Sequence, residues 1–170
     1  LQKASTEDVE FFVELPEAPL VLAFDRRLVT QAVTNLVKNA REALEPRLQN
    51  DPTHKGKIKI DVISDDNKVD IAVTDNGIGL PQENRARLTE PYMTTREKGT
   101  GLGLAIVKRI MAEHNGEISF EDAPETFAPE GGAMVTLTFF LDGTKAVETI
   151  EETTTSGKSA MSEALSAQRT

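Results

Sequence analysis

The sequence predicts an α+β domain on three observations. Several short runs alternate apolar and polar residues with the period of two that marks a half-buried strand. Two longer runs, starting near Asp25 and Leu104, repeat their apolar residues at the helical period. Clusters of Gly, Pro, Asp and Asn separate these runs as turns do. The 170 residues suffice for one domain with tails, and the absence of cysteine excludes disulfides and thiolate metal sites. No run of about twenty apolar residues and no charged-then-apolar leader is present, so the chain reads as soluble and cytoplasmic, without direct membrane contact. A net charge of -9 argues against nucleic acid as a partner, because phosphate contacts need clustered Lys and Arg. Any attraction for a polyphosphate has to be local: a metal, a helix N-terminus or a few basic side chains.

Taken in order, residues 1–7 are polar and fit the end of an upstream helix or linker. Residues 9–15 and 20–24 read as strands joined across Pro16-Glu17-Ala18-Pro19, where two prolines forbid a helix. Asp25 has the chemistry of an N-cap for a helix to about Leu44, stopped by Pro46. Its apolar face is Ala32, Val33, Leu36, Val37, Ala40, Ala43 and Leu44. Gln31, Asn35, Asn39 and Glu42 form a polar stripe along one edge of that face. Asn is a poor helix former, so two of them a turn apart are unusual. They fit either a pair of solvated amides or an amide oxygen offered to Mg²⁺ as a hard ligand. His54 lies in a polar loop over 46–56 and reads as a surface histidine, not a metal ligand. Residues 57–63 alternate with Ile58, Ile60 and Val62 inward, and Asp65-Asp66-Asn67-Lys68 turns them into the next strand.

That next strand organises the rest. Val69, Ile71 and Val73 point one way and Asp70, Ala72 and Thr74 the other, so Asp75 continues the inward series. An inward carboxylate is costly unless something donates hydrogen bonds to it. Asn76-Gly77-Ile78-Gly79 follows as a tight turn whose glycines leave room for a backbone or ligand. The stretch fits a pocket floor, and equally a hairpin turn with a capping Asp.

Residues 81–100 are polar and weakly periodic, with a helical turn or two expected over 82–88. A connection this long and loose is usually functional or mobile. It ends at Gly99-Thr100-Gly101-Leu102-Gly103-Leu104, which runs into a helix over 104–114 buried through Leu104, Val107, Ile110 and Met111. A glycine-rich helix start leaves backbone N–H groups facing an incoming phosphate. The spacing is not the dinucleotide fingerprint. Asn115-Gly116 closes the helix with a left-handed residue, and His114 suits its negative end. The last strands cover 117–121 and 133–141. From Gly143 the chain turns to Thr, Ser, Ala and Glu, and residues 143–170 read as a disordered tail beyond a domain over 8–142. Ser156-Gly157-Lys158-Ser159 is not a P-loop, because Glu152 stands where the first glycine is required.

Together the motifs resemble a known family. Asn35-Leu36-Val37-Lys38-Asn39-Ala40 resembles the N box of the histidine kinases, and Asp75-Asn76-Gly77-Ile78-Gly79 their G1 box. Glu90-Pro91-Tyr92-Met93-Thr94-Thr95 is similar to the F box, and Gly99-Thr100-Gly101-Leu102-Gly103-Leu104 to the G2 box. Gly131-Gly132-Ala133-Met134-Val135-Thr136 resembles the final glycine-bearing strand. The resemblance spans about residues 8–141 in family order. Its wording is most similar to the nitrogen-regulation sensor kinases of the NtrY type.

The resemblance implies the Bergerat ATP-binding fold of the GHKL ATPases: a two-layer sandwich whose mixed, mostly antiparallel sheet carries helices on one face. It implies ATP and Mg²⁺ as cofactors. By position, Asn39 corresponds to the Mg²⁺ ligand and Asp75 to the adenine-reading carboxylate. Gly77 and Gly79, flanking Ile78, let the base lie against the turn. Tyr92, Thr94 and Thr95 belong to the F box; Arg96 and Lys98 stand as lid cations near the γ-phosphate. Gly99, Thr100, Gly101, Leu102, Gly103 and Leu104 correspond to the phosphate-facing run, and Thr136 to a Thr often found under the adenine. Tyr92 replaces the usual Phe. Glu42 stands where many members have Lys, which leaves no phosphate contact to expect there. Asn35 takes the place where gyrase and Hsp90 relatives carry a general-base Glu. An amide cannot accept a proton from water, so the resemblance implies phosphotransfer by Asn35, Asn39 and Arg96 rather than steady hydrolysis. Neither His54 nor His114 matches the family's phosphoacceptor. The implied partners are therefore a His-bearing dimerisation domain elsewhere in a parent kinase of the bacterial inner membrane, and a response regulator. A hydrolytic GHKL ATPase and a serine-directed kinase of the same fold are the alternatives.

Overall fold

The computed structural model describes residues 9–18, 20, 22–51, 53–91 and 101–141. The lid and F-box positions Tyr92, Thr94, Thr95, Arg96, Lys98, Gly99 and Thr100, the stretch 1–7 and the tail 143–170 lie outside them. Eight elements follow in order: β1 (Val9–Glu14), α1 (Arg26–Asn50), β2 (Gly56–Ser64), β3 (Lys68–Asp75), a 3₁₀ turn (Arg85–Thr89), α2 (Gly103–Glu113), β4 (Glu117–Asp122) and β5 (Ala133–Phe140). The strands form one sheet in the order β1-β2-β3-β5-β4. β1 runs parallel to β2, and every other pair is antiparallel.

Alternation sets the layers. Opposite Val73 on β3 stands Val135 of β5, and opposite Ile71 stands Leu137. This row packs with Leu36, Ala40 and Leu44 of α1 and with Val107, Ile110 and Met111 of α2 in one core cluster. Both helices thus cover one face of a mixed sheet, as the resemblance implies. Leu36, Leu44, Met111 and Leu137 are among the largest fully buried side chains.

Three expectations change. Residues 20 and 22–24 form no strand; β1 pairs directly with β2, and the chain then reaches the C-terminal end of α2, where Asp25 N–H donates to His114. There Leu22 packs on the core and the Phe24 ring lies 6.0 Å from Phe139. Their apolar character serves as a plug at the helix start. The second change concerns α1, which continues through Pro46 to Asn50. Proline removes one helical hydrogen bond and crowds the carbonyl four residues before it, and tertiary contacts of the following turn offset that cost. Lastly, the connection after β3 contains a 3₁₀ turn in place of the α-helical turns expected over 82–88.

Helix ends follow their caps. Asp25 Oδ1 accepts from the N–H groups of Arg27 at 2.8 Å and Leu28 at 3.4 Å. At the far end of α2, Asn115 adopts φ 51° and Gly116 N–H donates to the Met111 carbonyl at 2.8 Å. His114 joins the two: Nδ1 meets the Ile110 carbonyl at 2.7 Å, and Nε2 accepts the Asp25 N–H at 3.0 Å.

Candidate nucleotide site

Between α1, α2 and the ends of β3 and β5 the described residues enclose a cavity of about 370 Å³. Its walls come from the motifs. From α1 come Asn35, Lys38, Asn39 and Glu42; from the turn after β3 come Asp75, Ile78 and Gly79. Gly101, Leu102, Gly103 and Leu104 supply the wall at the start of α2. Four stretches far apart in sequence therefore converge on one space.

Asp75 is the floor. It is 4% exposed, and its Oδ1 accepts the Gly77 N–H at 2.8 Å. Its neighbour Asn76 explains how the turn is held. Asn76 Oδ1 accepts from Lys57 N–H at 2.6 Å while Nδ2 donates to the Lys55 carbonyl at 2.9 Å. The amide thereby copies a strand partner and extends pairing beyond the end of β3. Gly77 faces away from the cavity: a Cβ there would meet the Ala43 carbonyl carbon at 2.6 Å. Its missing side chain permits the contact between turn and helix, not contact with a base. Ile78 N–H then donates to the Ala43 carbonyl at 3.1 Å. Gly79 has φ 78°, the left-handed conformation that favours glycine, and does line the cavity.

The opposite wall carries the positive end of a helix. Among the described residues no side chain caps α2, and its first turn holds no acidic residue. Its leading N–H groups have no acceptor within the helix, which is the geometry of an anion site. A Cβ on Gly103 would stand 3.7 Å from Asn39 Oδ1, so the Asn39 amide rests against this helix start. Asn35 lies one turn away, its Nδ2 buried without a hydrogen-bond partner among the described residues. A hard amide oxygen beside a phosphate-suited helix start fits Mg²⁺, and Asn39 is the residue that would hold it.

Some expected roles do not survive. The pleat carries Thr136 to the sheet face opposite Val135 and Leu137, and only Ala133 and Val135 of β5 line the cavity. His54 is largely buried rather than a free surface residue: its side chain is 11% exposed, Nε2 has no hydrogen-bond partner among the described residues, and Nδ1 lies 4.0 Å from Glu130 Oε2. Other wall residues went unread in the sequence. Lys38, inside the quoted N box, pairs with Glu42 at 3.9 Å. Phe120, Pro81, Leu88 and Ile106 add apolar surface. Phe120 was legible as an inward residue of β4 through its alternation with Ile118, but not as a cavity wall.

A family model described as histidine kinase-, DNA gyrase B-, and HSP90-like ATPase matches residues 24–143. The chain belongs to that family. The ATPase domain is 48% identical over 149 residues to the nitrogen regulation protein NtrY of Azorhizobium caulinodans, covering 88% of this chain and 18% of that protein. The domain thus spans less than a fifth of the length of that relative. Among solved structures it resembles the catalytic domain of histidine kinase ThkA, with a TM-score of 0.63 and 32% identity over 78% of this chain and 80% of that one. ThkA in complex with response regulator TrrA gives a TM-score of 0.62 at 29% identity, covering 81% of this chain and 36% of that one. Within the family, then, the ATPase domain is of the histidine-kinase catalytic type.

Proposed function

We propose that this domain binds ATP with Mg²⁺ in the cavity and transfers the γ-phosphate to a histidine on a separate dimerisation domain. The observation that carries the reading is the meeting of Asn39 with the uncapped start of α2, opposite the buried Asp75. Asp75 accepts a hydrogen bond from the adenine amino group, the most direct use of a carboxylate fixed at a cavity floor. Gly101 and Gly103 let phosphate oxygens approach the backbone N–H groups of α2. Asn39 supplies one oxygen to Mg²⁺, which contributes neutralisation of phosphate charge. Asn35 borders the same space and cannot act as a base toward water, which favours transfer over hydrolysis. By their place in the family motifs, Tyr92, Thr94, Thr95, Gly99 and Thr100 are the remaining nucleotide-binding residues of the reading, and Arg96 and Lys98 its cations for the γ-phosphate.

The likeness to NtrY and to ThkA supports a response regulator as the next acceptor and nitrogen signalling as the setting. It also supports a parent kinase of the inner membrane; among the described residues no helix is long and apolar enough to cross a membrane. The test is Asn39→Ala, assayed with a His-bearing dimerisation domain and labelled ATP. Loss of Mg²⁺-dependent binding and of transfer is expected; transfer at the parent rate overturns the metal assignment. The competing hydrolytic reading is examined with Asn35→Glu. The added carboxylate is expected to raise phosphate release and lower transfer to histidine, by less than the 10²–10⁴-fold of a fully positioned base.

A further inference from the structure

Behind the floor of the cavity, the last turn of α1 reaches the loop before β5. Arg47 Nη1 donates to the Glu130 carboxylate at 3.3 Å, and Nη2 donates to the Glu130 backbone carbonyl. The Arg47 side chain is 21% exposed, whereas that of Glu130 is 75% exposed. The fixed partner is therefore the carbonyl rather than the mobile carboxylate. The stretch held in this way is the one that touches Asp75. A Cβ on Gly132 would fall 2.0 Å from the Asp75 carbonyl oxygen and 3.0 Å from Asn76 Cα, so the loop backbone lies directly on the turn. A Cβ on Gly131 would stand 3.4 Å from Arg47 Nη2, so the guanidinium in turn lies against that backbone. On the other side, the same end of α1 presents the Ala43 carbonyl to Ile78 N–H at 3.1 Å. One end of one helix grips the adenine-reading turn from two directions.

We propose that Arg47 is a positioning residue for purine recognition: by clamping the loop at Glu130 to Gly132 it fixes Asp75 for adenine. The inference rests on the reading that the cavity takes an adenine nucleotide. Arg47 lines a second cleft that shares Ile78 with the nucleotide cavity but none of Asn35, Asn39, Gly101 or Gly103. Its clamp therefore acts through the turn that meets the base and not through the residues of the phosphate and metal sites.

The experiment is calorimetric titration of the full chain with ATP and with inorganic tripolyphosphate, both with Mg²⁺, beside a melting curve. Arg47→Ala is expected to lower ATP affinity about tenfold and to leave tripolyphosphate affinity unchanged. Arg47→Lys, which keeps one donor for the carbonyl, is expected to recover part of the loss. Arg109→Ala, a change at an exposed ion pair on α2, serves as the control and is expected to match the parent. Should Arg47→Ala fail to fold, Arg47→Gln is read in the same way. Equal loss toward ATP and tripolyphosphate, or no loss toward either, overturns the positioning role while the ATP reading stands. A parent chain that binds tripolyphosphate but shows no preference for ATP overturns the adenine reading, and the inference with it.

Discussion

Asp75 shows how a single side chain can be legible before its partners are. Its place in the alternation of β3 predicts an inward carboxylate, and the structure buries it with its Oδ1 accepting the Gly77 N–H of its own turn. On the proposed reading, Asp75→Asn is expected to remove a charge-assisted bond to adenine and to lower ATP affinity by about 1.5–3 kcal/mol, tenfold and more. Calorimetry at constant melting temperature checks it. Gly132→Ala is expected to be harsher toward the fold, because the new methyl group meets the Asp75 carbonyl; overpacking of this kind costs about 1–3 kcal/mol, read as a lowered denaturation midpoint. Asn39 is legible from a different period: a polar residue at a fixed helical interval beside the core face of α1, where Asp75 follows the alternation of a strand. Gly77, Thr136 and His54 were misread because their roles depend on which neighbour lies across from them, and alternation alone cannot supply that. The carboxyls of Asp25 and Asp65 are held below the ordinary value of 3.8 first by backbone N–H donors, and that of Asp51 first by the Thr53 hydroxyl. Each binds protons more weakly folded than unfolded, so its contribution is present above pH 3.8 and is lost as pH falls through the lower folded value. Asp25→Asn keeps a capping oxygen without the titration, and is expected to flatten the acid limb of stability against pH.

At the scale of elements, α1 departs furthest from its sequence reading. Proline costs a helix interior about 3 kcal/mol, which is why Pro46 reads as a stop. Here the turn beyond it is retained because Arg47 and Asp51 find partners outside the helix or at its end. Pro46→Ala is accordingly expected to raise the melting temperature while leaving ATP binding unchanged, since the restored N–H meets the Glu42 carbonyl and not the Ala43 carbonyl that accepts from Ile78. Melting and titration of the same variant check both outcomes. Leu44→Ala, at a fully buried position, is expected to cost about 2–5 kcal/mol by denaturant unfolding. The β2–β3 hairpin was readable to within a residue or two because its pairing is local. The expected strand over 20–24 was not, because Leu22 packs on the core and Phe24 meets Phe139, contacts that no local pattern encodes.

For the molecule as a whole, the tail over 144–170 is expected to be dispensable: its deletion should leave melting temperature and ATP affinity within about a degree and a factor of two. A drop of several degrees would show that it packs on the domain. The placement of β1 has another consequence, in the order of assembly. β2 and β3 pair across a turn of a few residues, so their contacts form early and at little entropic cost. β1 reaches β2 only after the whole of α1 has been laid down between them, because Val9 pairs with Gly56 and Glu14 with Asp61. Its pairing closes a loop of some forty residues and adds an edge that the matched family model, beginning at residue 24, does not include. β1 is therefore expected to join after the rate-limiting barrier. Truncating the partly buried Val9 to Ala should speed unfolding and leave the folding limb of the chevron in place, whereas Val73→Ala, in the central strand, should slow folding itself.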